Sequence, residues 1–261
     1  MHHCFLLPSH HNPLHLQPYY ALTSTPSPRN MSGKSLLVVL TSCDKLINDR
    51  GATGWYLPEL AHPYYVFKKA GLNLTFASPK GGEAPLDPAS VKAFSEDKEC
   101  QEFLKDEEAQ KLVKNTHKLS EFKEKDFDAI FYVGGHGPTI DLRVDPVSIN
   151  LVESFYAAGK PTSAVCHAPG AILSQAKDRK TGEALVKGKR YTTFTDSEEK
   201  AAGGVGTIPE LGEETLTKLG GILERTDDWG VKVVVDGNLI TGQNPASAGP
   251  IAEKLVEILG A

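Results

Sequence analysis

The chain has 261 residues, 40% of them hydrophobic and 23% charged, an ordinary balance for a globular protein. Its 28 basic and 33 acidic side chains leave a net charge of −5, which excludes the broad basic footprint of a nucleic-acid binder. No stretch approaches the roughly 20 apolar residues that span a bilayer, and the four cysteines lack C-x-x-C pairing, so a reducing compartment is expected rather than a disulfide framework.

Residues 1–33 are rich in His, Pro, Ser and Thr, and their first thirty positions hold no acidic residue. They lack the continuous apolar run of a signal peptide, and they read as a disordered tail ahead of a single domain over 34–261. Within that domain "SLLVVL" (35–40) is a short unbroken apolar run, as expected of a strand buried on both faces. "DRGATGWYLPEL" leads through a loop into a helix on which Leu60, Tyr64 and Phe67 recur at helical spacing before Gly71 stops it. "LNLTFA" (72–77) is the next strand. Residues 81–125, charged and helical in character, form an insertion beside the main sheet.

"DAIFYVGGHG" (128–137) is a strand ending in a Gly-rich turn, and "SINLVESFYAAGK" is a helix closed by Gly159. "PTSAVCHAPGAIL" repeats the strand-turn-helix step, "KVVVDGNLITG" signals a hairpin at Asp236-Gly237, and "ASAGPIAEKLVEIL" closes the chain as a helix. The alternation predicts an α/β fold, a mostly parallel sheet with helices on both faces.

Ligands of such sheets gather beyond the carboxyl ends of the strands. Gly134 to Gly137, Cys166 with His167, Gln243 with Asn244, and Glu59 all fall on that rim. Cys166 occupies a sharp strand-to-helix turn, where the helix end favours thiolate over thiol and exposed backbone N–H groups can receive an oxyanion. Not every rim residue needs a chemical role. The glycines can simply serve the turn, His136 can cap it, and His62 is expected to pack at a helix start rather than bind metal. Phosphate-loop patterns are absent.

Taken together, "AVCHAPGAIL", "YVGGHGPTIDL", "GWYLPELAHPYYVFKKAG", "YTTFTDSEE" and "LITGQNPAS" resemble the ThiJ/PfpI superfamily, and within it the fungal heat-shock-type glutathione-independent glyoxalases. The likeness runs from about Ser35 to the C-terminus. It implies a flavodoxin-like sandwich of the class I glutamine amidotransferase type, with Cys166 as nucleophile, His167 as general acid/base and Glu59 touching the sulfur. Glu198 is the acid best aligned to orient His167, with Asp196 and Glu199 as competitors. Gly134, Gly135 and His136 surround the substrate, with the backbone of Gly135 and His167 as oxyanion pocket. The implied reaction takes methylglyoxal to D-lactate through a Cys166 hemithioacetal, with no cofactor and no metal. A homodimer is also implied, while a cytosolic setting, with the nucleus as a second compartment, is expected from the lack of a convincing targeting signal. A stress-response chaperone and a cysteine peptidase or amidase are the alternatives on the same elbow.

Overall fold

The computed structural model describes residues 33–261. The tail expected over 1–33 lies, save for Gly33, outside the described residues. The strands are β1 (Ser35–Val39), β2 (Asn73–Ser78), β3 (His117–Lys118), β4 (Ala129–Tyr132), β5 (Thr162–Val165), β6 (Arg190–Tyr191), β7 (Ile222–Leu223), β8 (Val233–Asp236) and β9 (Leu239–Gly242). The helices are α1 (Pro58–Lys69), α2 (Pro88–Ala93), α3 (Lys98–Phe103), α4 (Glu107–Lys114), α5 (Gly137–Ile140), α6 (Pro146–Ala157), α7 (Ala168–Leu173), α8 (Asp196–Ala201), α9 (Gly212–Lys218) and α10 (Ala248–Leu259).

Seven strands form one sheet in the order β3-β2-β1-β4-β5-β9-β8, parallel throughout except for the β8–β9 hairpin. The other two strands pair with each other in a small parallel ladder. In β1, Leu36 and Val38 join an apolar layer with Leu60, Tyr64 and Phe67 of α1 and Ile251 and Leu255 of α10. Leu37 and Val39 join the opposite layer with Leu151 and Phe155 of α6, Ile172 of α7 and Leu216 of α9. Both faces are covered, which is why this strand reads as an unbroken apolar run rather than an alternating one. The hairpin turns through Gly237 and Asn238, with Asp236 registered opposite Leu239 and Gly237 at a φ of +61°.

The charged segment after β2 supplies α2, α3 and α4, each opened by an aspartate (Asp87, Asp97, Asp106) whose side chain accepts backbone N–H groups of the first turn. Cys100, Phe103, Ala109 and Val113 of these helices pack into the α1-side layer, and β3 then adds the outer strand of the sheet.

From β1 the chain moves to β2 on one side, while β4 returns to the other side of β1. That reversal opens a crevice beyond the carboxyl ends of β1 and β4, and β5 ends next to it. Among the described residues no helix is long and apolar enough to cross a membrane.

Candidate active site

Cys166 is the first residue after β5, two residues ahead of α7, and has a φ of +62°. A side chain in that region is strained, so neighbouring strands must hold it there. Its N–H donates to the Gly242 carbonyl at the end of β9 (2.9 Å), and its carbonyl accepts from the Phe194 N–H (2.8 Å) and the Thr193 hydroxyl (2.9 Å). The elbow is therefore clamped on both sides. Its sulfur lies 3.1 Å from Nδ1 of His167.

Nε2 of His167 donates to the carboxylate of Glu199 over 2.5 Å, and Nε2 of His136 donates to the other oxygen of that carboxylate over 3.0 Å. A proton fixed on Nε2 leaves Nδ1 as the acceptor facing the thiol. Burial would raise the Glu199 carboxyl, but the hydrogen bonds from His136 and His167 outweigh it and hold the group well below the usual carboxylate range. Burial, with the neighbouring His136, keeps His167 below the ordinary imidazole value in spite of Glu199. His167 is thus a neutral base at neutral pH. Its ring rests on Phe194, with centroids 4.3 Å apart.

Glu59 is completely buried in the first turn of α1, and neither carboxyl oxygen has a nitrogen or oxygen partner among the described residues. It lies against Gly134 and Cys166, where a Cβ added to Gly134 would stand 2.2 Å from its Oε2 and 2.9 Å from the Cys166 Cβ. Burial pushes its carboxyl up to about 8, so at neutral pH it carries a proton. The Cys166 thiol is also pushed well above its ordinary value, by burial first and then by the Glu59 charge. This departs from the low value that the helix end alone predicts, because the turn is dry. The Glu59 contribution vanishes when that carboxyl is protonated, and the neutral acid can then donate to a sulfur anion.

A model of the DJ-1/PfpI family matches residues 52–258. The chain belongs to the DJ-1/PfpI family. Glyoxalase 3 of Candida albicans is 34% identical over 231 residues, spanning 85% of this chain and 97% of its own length. Glutathione-independent glyoxalase HSP31 of Saccharomyces cerevisiae is 30% identical over 239 residues, spanning 88% and 99%. Among solved structures, the Rapid Encystment Protein of 24 kDa from Francisella tularensis matches with a TM-score of 0.81 at 34% identity, covering 87% of this chain and 99% of that one. The glyoxalase III structure from Candida albicans matches with a TM-score of 0.76 at 31% identity, covering 86% and 96%.

Within this DJ-1/PfpI domain one expected placement needs correction. The sequence reading sets Glu198 against His167; in the structure Glu199 stands there. Glu198 instead completes a capping box at the start of α8, its Oε2 accepting from the N–H (2.9 Å) and hydroxyl (2.8 Å) of Thr195. Its Oε1 accepts from the Trp229 N–H and the Asn244 side-chain amide, each at 2.8 Å. Successive helical residues point about 100° apart, so only one of two adjacent glutamates can reach the imidazole. Asp196, the other competitor, meets Glu213 through its N–H rather than either histidine.

Cys166, His167, His136 and Gly135 line a cavity of about 160 Å³ with aromatic walls from Tyr56, Phe194 and Trp229. Gly134 lies behind the cavity, wedged between Glu59 and the Val165 carbonyl, and has no room for a side chain. The aromatic walls are missing from the expected site. Tyr56 and Phe194 sit inside the quoted motifs "GWYLPEL" and "YTTFTDSEE", whereas Trp229 lies on an irregular loop that no local pattern marks. His136, His167 and Glu199 have ligand atoms within 4.8 Å of one another, so they are the residues here able to hold a metal. A cation would have to displace both N–H donors from the carboxylate.

Proposed function

We propose that this chain is a glutathione-independent glyoxalase that converts methylglyoxal to lactate, the resemblance implying the D enantiomer. One observation carries the reading: His167 bridges the Cys166 sulfur to Glu199 at a cavity of about 160 Å³, while a buried carboxyl, Glu59, lies beside Cys166 behind that cavity. The thiol proton passes to Nδ1 of His167, and the sulfur adds to the aldehyde carbon of methylglyoxal. The resulting oxyanion is held by the N–H groups of Gly135 and His167 and takes up the proton to give a hemithioacetal.

The hydrogen on the former aldehyde carbon is now acidified by the adjacent ketone. His167 removes it, an enediolate forms, and the proton returns to the neighbouring carbon, which becomes the carbinol of a lactyl thioester. The first carbon is oxidised and the second reduced within one molecule, so no external redox partner enters. Water then cleaves the thioester to lactate and restores the thiol. Glu199 keeps His167 in the productive tautomer, and protonated Glu59 steadies the sulfur anion whenever it forms.

The size of the cavity favours this chemistry over peptide or amide hydrolysis. Pockets for drug-sized ligands run from roughly 300 to 1,000 Å³, whereas about 160 Å³ suits a three-carbon dicarbonyl. A homodimer belongs to the same reading on the strength of the resemblance alone, and a cytosolic and nuclear setting is proposed with it. The test is lactate formation from methylglyoxal with chelator present and glutathione absent. Wild-type protein should produce it and Cys166→Ala should not; near-normal turnover by the alanine variant would reject the proposal.

A further inference from the structure

A second cluster of chemically capable side chains lies away from the elbow, where α1 meets α3. His62 of α1 turns Nε2 toward the Asp97 carboxylate, 3.2 Å from each oxygen, and the Cys100 sulfur lies 3.8 Å from the same nitrogen. The ligand atoms of these three residues all fall within 4.8 Å of one another. Glu99 brings a further carboxyl oxygen to 3.9 Å from Nε2. The sequence reading of His62 as a packing residue misses this, because its partners lie 35 and more positions downstream.

We propose that His62, Asp97 and Cys100 form a zinc site, with Glu99 or water as the fourth ligand. The spacing carries the argument. For tetrahedral Zn²⁺ with its usual bonds to nitrogen, oxygen and sulfur, the ligand atoms stand about 3.3 Å apart for N and O and about 3.6 Å apart for N and S. The corresponding separations here are 3.2 and 3.8 Å, and the remaining pair of ligand atoms lies within 4.8 Å, so small shifts of the side chains would seat a cation.

The donor set agrees with the spacing. Imidazole, thiolate and carboxylate together suit Zn²⁺ better than the hard cations Mg²⁺ and Ca²⁺, which favour all-oxygen shells. Asp97 can serve without giving up its cap on α3: Oδ1 accepts the Cys100 N–H at 2.8 Å, leaving Oδ2 for the metal. The route in is open, since the side chains of His62, Asp97 and Glu99 are 23%, 30% and 49% exposed. Binding takes one proton from the Cys100 thiol and releases it to solvent, with no change of oxidation state. The bound ion would staple α1 to α3, and α1 carries Glu59 one turn before His62.

The test uses the full chain with Cys4, Cys43 and Cys166 replaced by serine, so that Cys100 is the remaining thiol. One equivalent of Co²⁺ under reducing conditions should produce a sulfur-to-cobalt charge-transfer band, which an equivalent of Zn²⁺ then bleaches. The histidines near the N-terminus can bind cobalt but give no such band. His62→Asn and Asp97→Asn should each weaken the apparent Co²⁺ affinity by about tenfold or more, and Cys100→Ser should abolish the band. Zinc should raise the melting temperature of the parent but not that of His62→Asn, a partly exposed substitution that leaves the buried thiol in place. Absence of the band at one equivalent, or a band indifferent to His62→Asn, would overturn the assignment.

Discussion

Replacing Glu199 by glutamine keeps the side chain's shape while removing its charge. In the wild-type protein one carboxylate receives Nε2–H from both His167 and His136. A glutamine has a single carbonyl oxygen, so it can accept from one imidazole only and must turn its amide toward the other. With the amide turned to His136, that ring must take the opposite tautomer to accept it; with the amide turned to His167, the bond that fixes the His167 proton on Nε2 is lost. A comparable loss of tautomer control in a catalytic triad costs about 10⁴-fold in kcat, and general-base contributions span about 10²–10⁴-fold. Glu199→Gln should therefore lose at least about a hundredfold in kcat, with KM little changed. Because Glu199 opposes the downward shift of the His167 pKa, its loss should also move the acid limb of the pH–rate profile to lower pH. The control is Glu198→Gln, which disturbs contacts to Thr195, Trp229 and Asn244 but none to His167. It should cost about 1–3 kcal/mol of stability and leave kcat per folded molecule within about tenfold. Steady-state lactate production and denaturant melts measure both variants. If Glu198→Gln collapses kcat while Glu199→Gln spares it, the assignment of the orienting acid is wrong.

Three further substitutions probe the rest of the site. Glu59, raised from 4.5 to about 8, stays protonated in the folded protein over a range where the unfolded chain ionises. Its stabilising contribution is complete below pH 4.5 and is lost as the pH rises to about 8, a change of about 5 kcal/mol on the full shift. Glu59→Gln should flatten this part of the stability–pH curve in denaturant melts, and an unchanged slope would mean that the carboxyl is not held protonated. Gly134→Ala would drive a methyl into the Glu59 carboxyl and the Val165 carbonyl. It should cost about 1–3 kcal/mol and lower turnover by displacing Glu59, whereas wild-type melting and activity would show the packing to be looser than described. Cys166→Gly should be more stable than Cys166→Ala by about 1 kcal/mol, because only glycine adopts the φ of +62° without strain. Equal melting temperatures would remove strain from the description of the elbow.

Much of this fold is legible in the sequence because its signals are local. The apolar run of β1, the glycine after α1 and the Asp-Gly before β9 each act within a few residues. The elbow is legible for the same reason: Cys166 and His167 adjoin at the end of an apolar strand. The orienting acid is harder to read because "TDSEE" offers several carboxyls and a run of acids does not reveal helical phase. A signal was nevertheless present. Thr195 followed three residues later by Glu198 is a capping-box pattern, which assigns Glu198 to the helix start and leaves Glu199 to face the histidine. The aromatic wall from Trp229 and the cluster at His62 depend on segments that meet only through tertiary packing, so no spacing along the chain announces them.

The pair Glu198 and Glu199 also explains why the elbow and its loop stand together. Glu199 turns inward to the reacting base. Glu198, a residue earlier, holds the Trp229 backbone that forms the opposite wall of the cavity, and binds Asn244 just beyond β9. The carbonyl of Gly242 at the end of β9 in turn accepts from Cys166. One turn of α8 is thereby tied to the nucleophile along two routes, through His167 and through the end of β9. Strain at Cys166 is sustained because the surrounding contacts over-determine it, and a change at either glutamate should be felt at the sulfur. The two differ in kind: loss of Glu199 removes proton control, whereas loss of Glu198 loosens the wall against which the substrate is held.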